Sequence, residues 1–115
     1  MSNKETSRAQ FLRGTLDLMI LQSLDSLGPL HGYAVAARLE QISKGALVPN
    51  MGTLYPGLMR LEQRGLIRAI WGTTEKQRRA RFYSITAAGR RTLADEKRDW
   101  FRMVEIMQTL FEGAV

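Results

Sequence analysis

Apolar residues recur at spacings of three and four along the first quarter of the chain, at Leu12, Leu16, Met19, Ile20, Leu24 and Leu27, with Ser23 in the same register. That spacing puts one apolar face on a helix. It predicts a helix from about Arg8, with residues 1–7 frayed. Gly28-Pro29 ends it, because glycine suits the cap and proline cannot continue the ladder. A second helix is predicted from about Gly32 to Ser43, with Tyr33, Ala36, Leu39 and Ile42, together with Val35, as its buried stripe, and Lys44-Gly45 as its stop. Ala46-Leu47-Val48 reads as a very short strand. A third helix is predicted between about Asn50 and Arg64, with Leu54, Leu58 and Leu61 inward and Gly65 as C-cap. Pro56 is tolerated in a first helical turn, where amide hydrogens have no partner, and so favours a start near Gly52 over one near Met51.

The period then changes. Leu66–Trp71 and Arg81–Ile85 are rich in β-branched and aromatic residues, and the polar run 72–79 separates them. This predicts an antiparallel hairpin with a long charged tip, and Tyr83 and Ile85 share its buried face. Thr86 suits an N-cap for a final helix from about Ala87 to Glu112. Trp100, Val104, Met107 and Phe111 follow a four-three-four seam on that helix, with Met103 beside them. So long a helix outruns the domain that could cover it, and its wide apolar face points to a dimer interface rather than to packing on its own domain. The expected architecture is mainly α with a two-stranded β wing (α+β). It divides into a winged helix-turn-helix over residues 1–86 and a C-terminal dimerisation helix over residues 87–115.

Composition narrows the function. The chain has 115 residues, 44% hydrophobic and 24% charged, which suits one domain with a modest core. A net charge of +6 directs it towards polyanions, nucleic acid first and an anionic membrane surface second. With no cysteine, disulfides and thiolate zinc sites are excluded. The single histidine, His31, makes no metal site without several carboxylates and reads as a capping or packing residue rather than a sensor. There is no phosphate-cradling glycine loop, no nucleophile beside His31 and no carboxylate pair with an evident cleft, so neither catalytic residues nor a cofactor are expected. No apolar run approaches the ~18 residues of a membrane span, and Met1 to Gln10 lack a signal-peptide core, so a cytoplasmic location is expected.

In a winged helix-turn-helix the third helix enters the major groove. Its outward positions here are expected to be Thr53, Tyr55, Gly57, Arg60 and Arg64. The hydroxyls of Thr53 and Tyr55 can donate to phosphate oxygens, and Gly57 would permit close backbone approach. Residues 53–81 carry Arg60, Arg64, Arg68, Lys76, Arg78, Arg79 and Arg81 against only Glu62 and Glu75. Most of that excess lies on and beside the hairpin, where a wing follows the minor groove or the backbone and arginine suits both. The expected DNA-binding set is Tyr33, Thr53, Tyr55, Arg60, Arg64, Lys76, Arg78 and Arg79. Tyr33 has two readings, a core aromatic or a phosphate contact through its hydroxyl.

Several segments carry a family resemblance. They are Gly14-Thr15-Leu16-Asp17-Leu18, Gly28-Pro29-Leu30-His31-Gly32-Tyr33, Gly52-Thr53-Leu54-Tyr55-Pro56, Leu61-Glu62-Gln63-Arg64-Gly65-Leu66-Ile67, Trp71-Gly72, Arg81-Phe82-Tyr83 and Thr86-Ala87-Ala88-Gly89-Arg90. In this order and spacing the chain resembles the PadR family of bacterial transcriptional regulators over about residues 12–112. The resemblance implies a homodimeric winged-helix DNA-binding protein, usually a repressor acting on its own operon and on neighbouring genes, and two recognition helices related by a two-fold would read a pseudo-palindrome in double-stranded DNA. It implies DNA contacts at Tyr33, Thr53, Tyr55, Arg78 and Arg79. Met51 departs from the acidic or polar residue of many relatives, which bears on base preference. A single helix after the wing resembles the short subfamily, in which the C-terminal helices of two subunits cross and can leave a pore for flat aromatic compounds. Trp100 matches a tryptophan that lines that pore. It is expected chiefly to pack the dimer, and the alternative is a ligand-sensing module that takes a small aromatic effector.

Overall fold

The computed structural model describes residues 3–113, with side chains from Gly14 onward. The elements follow in the order α1 (Asn3–Leu27), β1 (Leu30–His31), α2 (Gly32–Ile42), α3 (Met51–Gln63), β2 (Ile67–Thr73), β3 (Arg79–Ile85) and α4 (Ala87–Phe111). Helix α1 begins at Asn3, five residues earlier than the start expected near Arg8 and within the stretch expected to be frayed. Residues 1 and 2, and the side chain of Leu12, lie outside what is described.

Leu16, Ile20, Leu21 and Leu24 of α1 are buried against Val35 and Leu39 of α2, Leu54, Leu58 and Leu61 of α3, and Leu93 of α4. Ser23 joins them by donating its hydroxyl to the Met19 carbonyl at 2.8 Å, which satisfies it inside the helix. Leu27 departs from the expected stripe. It occupies the last position of α1, beyond the layers that bury Leu24, and is exposed. Gly28 then reverses the chain at φ 79° and returns its N–H to the Leu24 carbonyl.

Helix α2 buries Gly32, Val35 and Leu39, with Ala36 packed partly against the core, so the expected stripe holds except at Tyr33 and Ile42. Tyr33 is 67% exposed and Ile42 62%. Tyr33 sits about a third of a turn from the buried arc, and Ile42 lies at the helix end. The core reading of Tyr33 is therefore overturned. Residues 46–48 form no strand. The Ala46 N–H bonds the Ser43 carbonyl and the Leu47 N–H bonds the Ser43 hydroxyl at 2.9 Å, so local turns use the groups a ladder would need. The strand the sequence did not disclose is β1, whose two residues pair with β3 as Leu30↔Tyr83 and His31↔Phe82. The antiparallel sheet thus has three strands in the order β1-β3-β2.

The hairpin is longer than expected and its tip shorter. The ladder runs from Ile67↔Ile85 to Thr73↔Arg79, leaving only residues 74–78 as the tip. Gly72 and Ala80 pair within it, and glycine is required at 72 because a Cβ there would come within 2.8 Å of the Phe82 ring. Tyr83 and Ile85 are buried as expected. The Thr86 hydroxyl accepts the Gly89 N–H at 3.0 Å and donates to the Gly65 carbonyl at 2.7 Å, capping α4 and tying its start to the end of α3. Only Gly89 and Leu93 of α4 are buried. The rest of a helix about 37 Å long projects from the domain.

Candidate nucleic-acid interface

Helix α3 starts at Met51, not near Gly52. The Asn50 side chain settles the start by accepting the Thr53 N–H at 2.9 Å, one residue before the start that Pro56 favours. Pro56 consequently lies in the second turn, facing the carbonyl of Gly52 across the missing amide hydrogen. The Thr53 hydroxyl also donates to Asn50 Oδ1, at 3.2 Å. That bond commits the hydroxyl proton, and the lone pairs left over cannot bind a phosphate, so the exposed amide end of the helix is what suits one. Asn50 was not singled out from the sequence, although an Asn ahead of an apolar-periodic run is an N-cap signal.

The starts of α2 and α3 converge. A Cβ on Gly32 would lie 3.0 Å from the Met51 methyl and 3.6 Å from the Tyr55 ring, so glycine there lets the two helices meet. Met51 packs towards the core at this contact. Tyr33, next in the chain, and Tyr55, 42% exposed, thus stand at one edge of the molecule. Along α3 and its C-cap the outward residues are Gly52, Thr53, Tyr55, Pro56, Met59, Gln63 and Arg64. Gly57, expected outward, is buried: its α-carbon faces Asp17 and Ile20 of α1, and a Cβ would come within 3.1 Å of both. Met59 takes the exposed position instead.

The seven basic residues of the 53–81 segment separate into two groups. Arg60 turns towards α1 and donates to both carboxylate oxygens of Asp17, at 2.8 and 3.3 Å. Arg81 donates to Glu62 at 2.7 Å and joins the wing to α3. Among the described residues, Arg64, Arg68, Lys76, Arg78 and Arg79 enter no ion pair. The last three cluster at the wing tip. There the Thr74 N–H bonds the Arg78 carbonyl, and Gln77 adopts φ 62°, a left-handed turn conformation. His31 packs edge-on against Phe82 with ring centroids 5.4 Å apart and makes no side-chain cap to α2, so of its two expected roles packing is the one observed. Burial of the Tyr83 ring pushes its phenol above the ordinary value of 10.0, more than the nearby Arg81 charge lowers it.

Two further surfaces concern α4. Trp100, Phe101, Met103, Ile106, Met107, Leu110 and Phe111 are all exposed, and Val104 is half-buried, which leaves a contiguous apolar face on the projecting helix. Where α4 meets α1 and α2, an apolar cavity of about 510 Å³ is lined by Leu18, Met19, Leu39, Ile42 and Trp100, with Arg38 and Lys97 also in its lining. Among the described residues, no cluster of His, Asp or Glu is arranged to hold a metal, and no helix is long and apolar enough to cross a membrane.

Comparison with known proteins agrees with this architecture. Residues 20–95 match the Transcriptional regulator PadR-like family. The chain is 41% identical over 88 residues to an uncharacterised 37.1 kDa protein in transposon TN4556 of Streptomyces fradiae; the match covers 76% of this chain and 23% of that protein. Among solved structures it is similar to a transcriptional regulator from Clostridium thermocellum, at TM-score 0.78 and 26% identity over 87% of this chain and 96% of that one. It is also similar to a PadR family transcriptional regulator from Eggerthella lenta, at TM-score 0.75 and 28% identity over 96% of this chain and 94% of that one.

Proposed function

The chain belongs to the Transcriptional regulator PadR-like family and is a DNA-binding regulator, and we propose that it acts as a homodimeric repressor of its own or neighbouring genes. One observation carries the mode of binding. An exposed recognition-type helix with hydroxyls at its start lies beside a wing whose three tip cations enter no ion pair among the described residues. On this reading the free amides of α3 meet a phosphate, the Thr53 hydroxyl turns from Asn50 to donate to it, Tyr33 and Tyr55 donate through their hydroxyls, and Tyr55 and Met59 face base edges. Met59 and Pro56 present apolar surface of the kind that meets a thymine methyl. Lys76, Arg78 and Arg79 follow the backbone beside the minor groove, and Arg64 holds it at the far end of α3. Arg60 leaves this set: bound to Asp17, it anchors α3 to α1 rather than touching DNA.

The exposed apolar face of α4 supports a two-fold dimer, since a patch of this extent on a projecting helix is an interface in search of a copy. Two α3 helices related by that axis would read half-sites about one helical turn apart. The test is fluorescence anisotropy with duplex DNA from upstream of the chain's own gene against a scrambled duplex, at two salt concentrations. Preference that survives the higher salt supports a sequence-specific repressor. Equal, salt-labile binding to both reduces the activity to charge.

The cavity beside Trp100 favours a second, compatible role, sensing of a flat aromatic effector that selects a dimer geometry with wrongly spaced recognition helices. Trp100 emission, read in a Trp71→Phe background, should be quenched by planar aromatic compounds. A silent response across a broad panel would remove this role.

A further inference from the structure

Arg79 and Arg81 leave β3 on one face of the wing, two residues apart, and the fold treats them differently. Arg81 is committed. It donates to Glu62 at 2.7 Å and lies 5.7 Å from the Tyr83 ring centroid, so its charge is balanced inside the domain. Arg79, one step nearer the tip and opposite Thr73, has no acidic partner among the described residues. Its guanidinium carbon stands 4.7 Å from the centroid of the Trp71 ring. Trp71 pairs with Arg81 across the ladder and is therefore diagonal to Arg79, within reach of a long side chain on the same face. Next to Trp71, the Phe82 ring covers Gly72, 2.8 Å from where a Cβ of that residue would be.

Stacking occupies the face of a guanidinium and leaves its N–H edges free. Those edges make paired hydrogen bonds to a phosphate. An arginine free to sample its rotamers at a hairpin tip would lose that freedom on binding, whereas one already stacked loses less. Trp71 itself is 57% exposed, far more than a core aromatic.

We propose that Trp71 is a positioning residue for DNA binding, its indole face holding Arg79 as a pre-formed cation whose free edge takes a backbone phosphate. This rests on the DNA-binding mode above. The test is a double-mutant cycle on the full chain, measuring anisotropy with one fluorescein-labelled mixed-sequence duplex at several salt concentrations. Thermal unfolding of each variant is recorded in parallel. Trp71→Ala is expected to weaken binding about two- to five-fold with its melting unchanged. Trp71→Leu, which keeps apolar bulk without a π face, should behave like Trp71→Ala, and Trp71→Phe should retain most of the affinity. Arg79→Ala should lower the slope of log affinity against log salt by about one. In the Arg79→Ala background, Trp71→Ala should have no further effect. An equal loss in both backgrounds would mean that the indole acts without Arg79, and wild-type affinity in Trp71→Ala or Trp71→Leu would mean that the stack has no role; each overturns the proposal. Absence of duplex binding by the unaltered chain even at low salt would overturn the DNA-binding mode itself, and is told apart by occurring before any substitution.

Discussion

Arg60 on α3 grips Asp17 on α1 through two hydrogen bonds, at 2.8 and 3.3 Å, directly beside the point where Gly57 lets the two helices touch. The pair is neither fully buried nor free in solvent. Breaking it by Asp17→Ala is expected to cost about 1–2 kcal/mol, between the values for exposed and buried pairs. That corresponds to a melting temperature lower by roughly 4–10 °C. Arg60→Ala should cost a similar amount, and the double variant less than the sum. Denaturant unfolding at one protein concentration reads the coupling. Strict additivity would show that the ion pair does not join the helices. The same variants separate anchoring from DNA contact: Arg60→Ala should leave the salt slope of DNA binding intact, whereas Arg64→Ala or Arg78→Ala should reduce it by about one.

Tyr83 makes stability depend on pH on the alkaline side. Burial, the dominant cause, raises its pKa above 10.0 in the folded chain. A group raised on folding keeps its proton longer in the native state than in the unfolded one. The stability it contributes is therefore complete below about pH 10 and is lost as pH climbs towards and through the folded-state value. Unfolding measured from about pH 8 to pH 11 should show a steeper alkaline loss for the unaltered chain than for Tyr83→Phe, which has no phenol to ionise. Parallel curves would place the loss on other groups.

The apolar face of α4 is open to an equally direct test. Val104→Asp puts a charge where the proposed interface would bury it without a partner. It should weaken the dimer by roughly a hundred-fold or more while leaving the winged domain folded, since Val104 lies outside the buried core. Sedimentation velocity reads the change as a shift to monomer. A monomeric unaltered chain, or an unperturbed dimer in the variant, contradicts the assignment of this face.

Much of this architecture was legible because each helix carries a strong period and a punctuated end. Gly28-Pro29, Lys44-Gly45, Gly65 and Thr86 all mark real ends or caps, and Leu54, Leu58 and Leu61 are fully buried as their spacing predicts. The errors have local causes. Pro56 is a first-turn signal in the sequence, but the Asn50 cap outweighs it and moves the helix start to Met51. Tyr33 and Ile42 satisfy an apolar pattern without facing the core, because hydrophobic character alone does not distinguish a stripe from its edge. The helical period turns Gly57 and Arg60 outward, and only the packing of α3 on α1 reveals the carboxylate of Asp17 that meets them. Strand β1, two residues long, has no period to detect. The stack of Arg79 on Trp71 depends on ladder register, which the unexpectedly short hairpin tip determines.

Met59 is the outward residue of α3 best suited to report base identity. Where a bound duplex carries a thymine facing Met59, replacing it by deoxyuridine removes one methyl. That should weaken binding about four-fold, the value of one buried carbon, and leave the Met59→Ala variant indifferent. Equal sensitivity in both proteins would assign the methyl contact to another residue, with Pro56 the nearest alternative on that face.

The most direct measurement is selection of bound duplexes from a randomised pool by the full chain at near-physiological salt, followed by sequencing. A dimer reading DNA through two α3 helices should enrich an inverted repeat with half-site centres about 10 base pairs apart, flanked by A·T-rich positions where the wings lie. Enrichment of a single unpaired half-site would contradict the dimeric mode, and no enrichment at all would contradict sequence-specific recognition by α3.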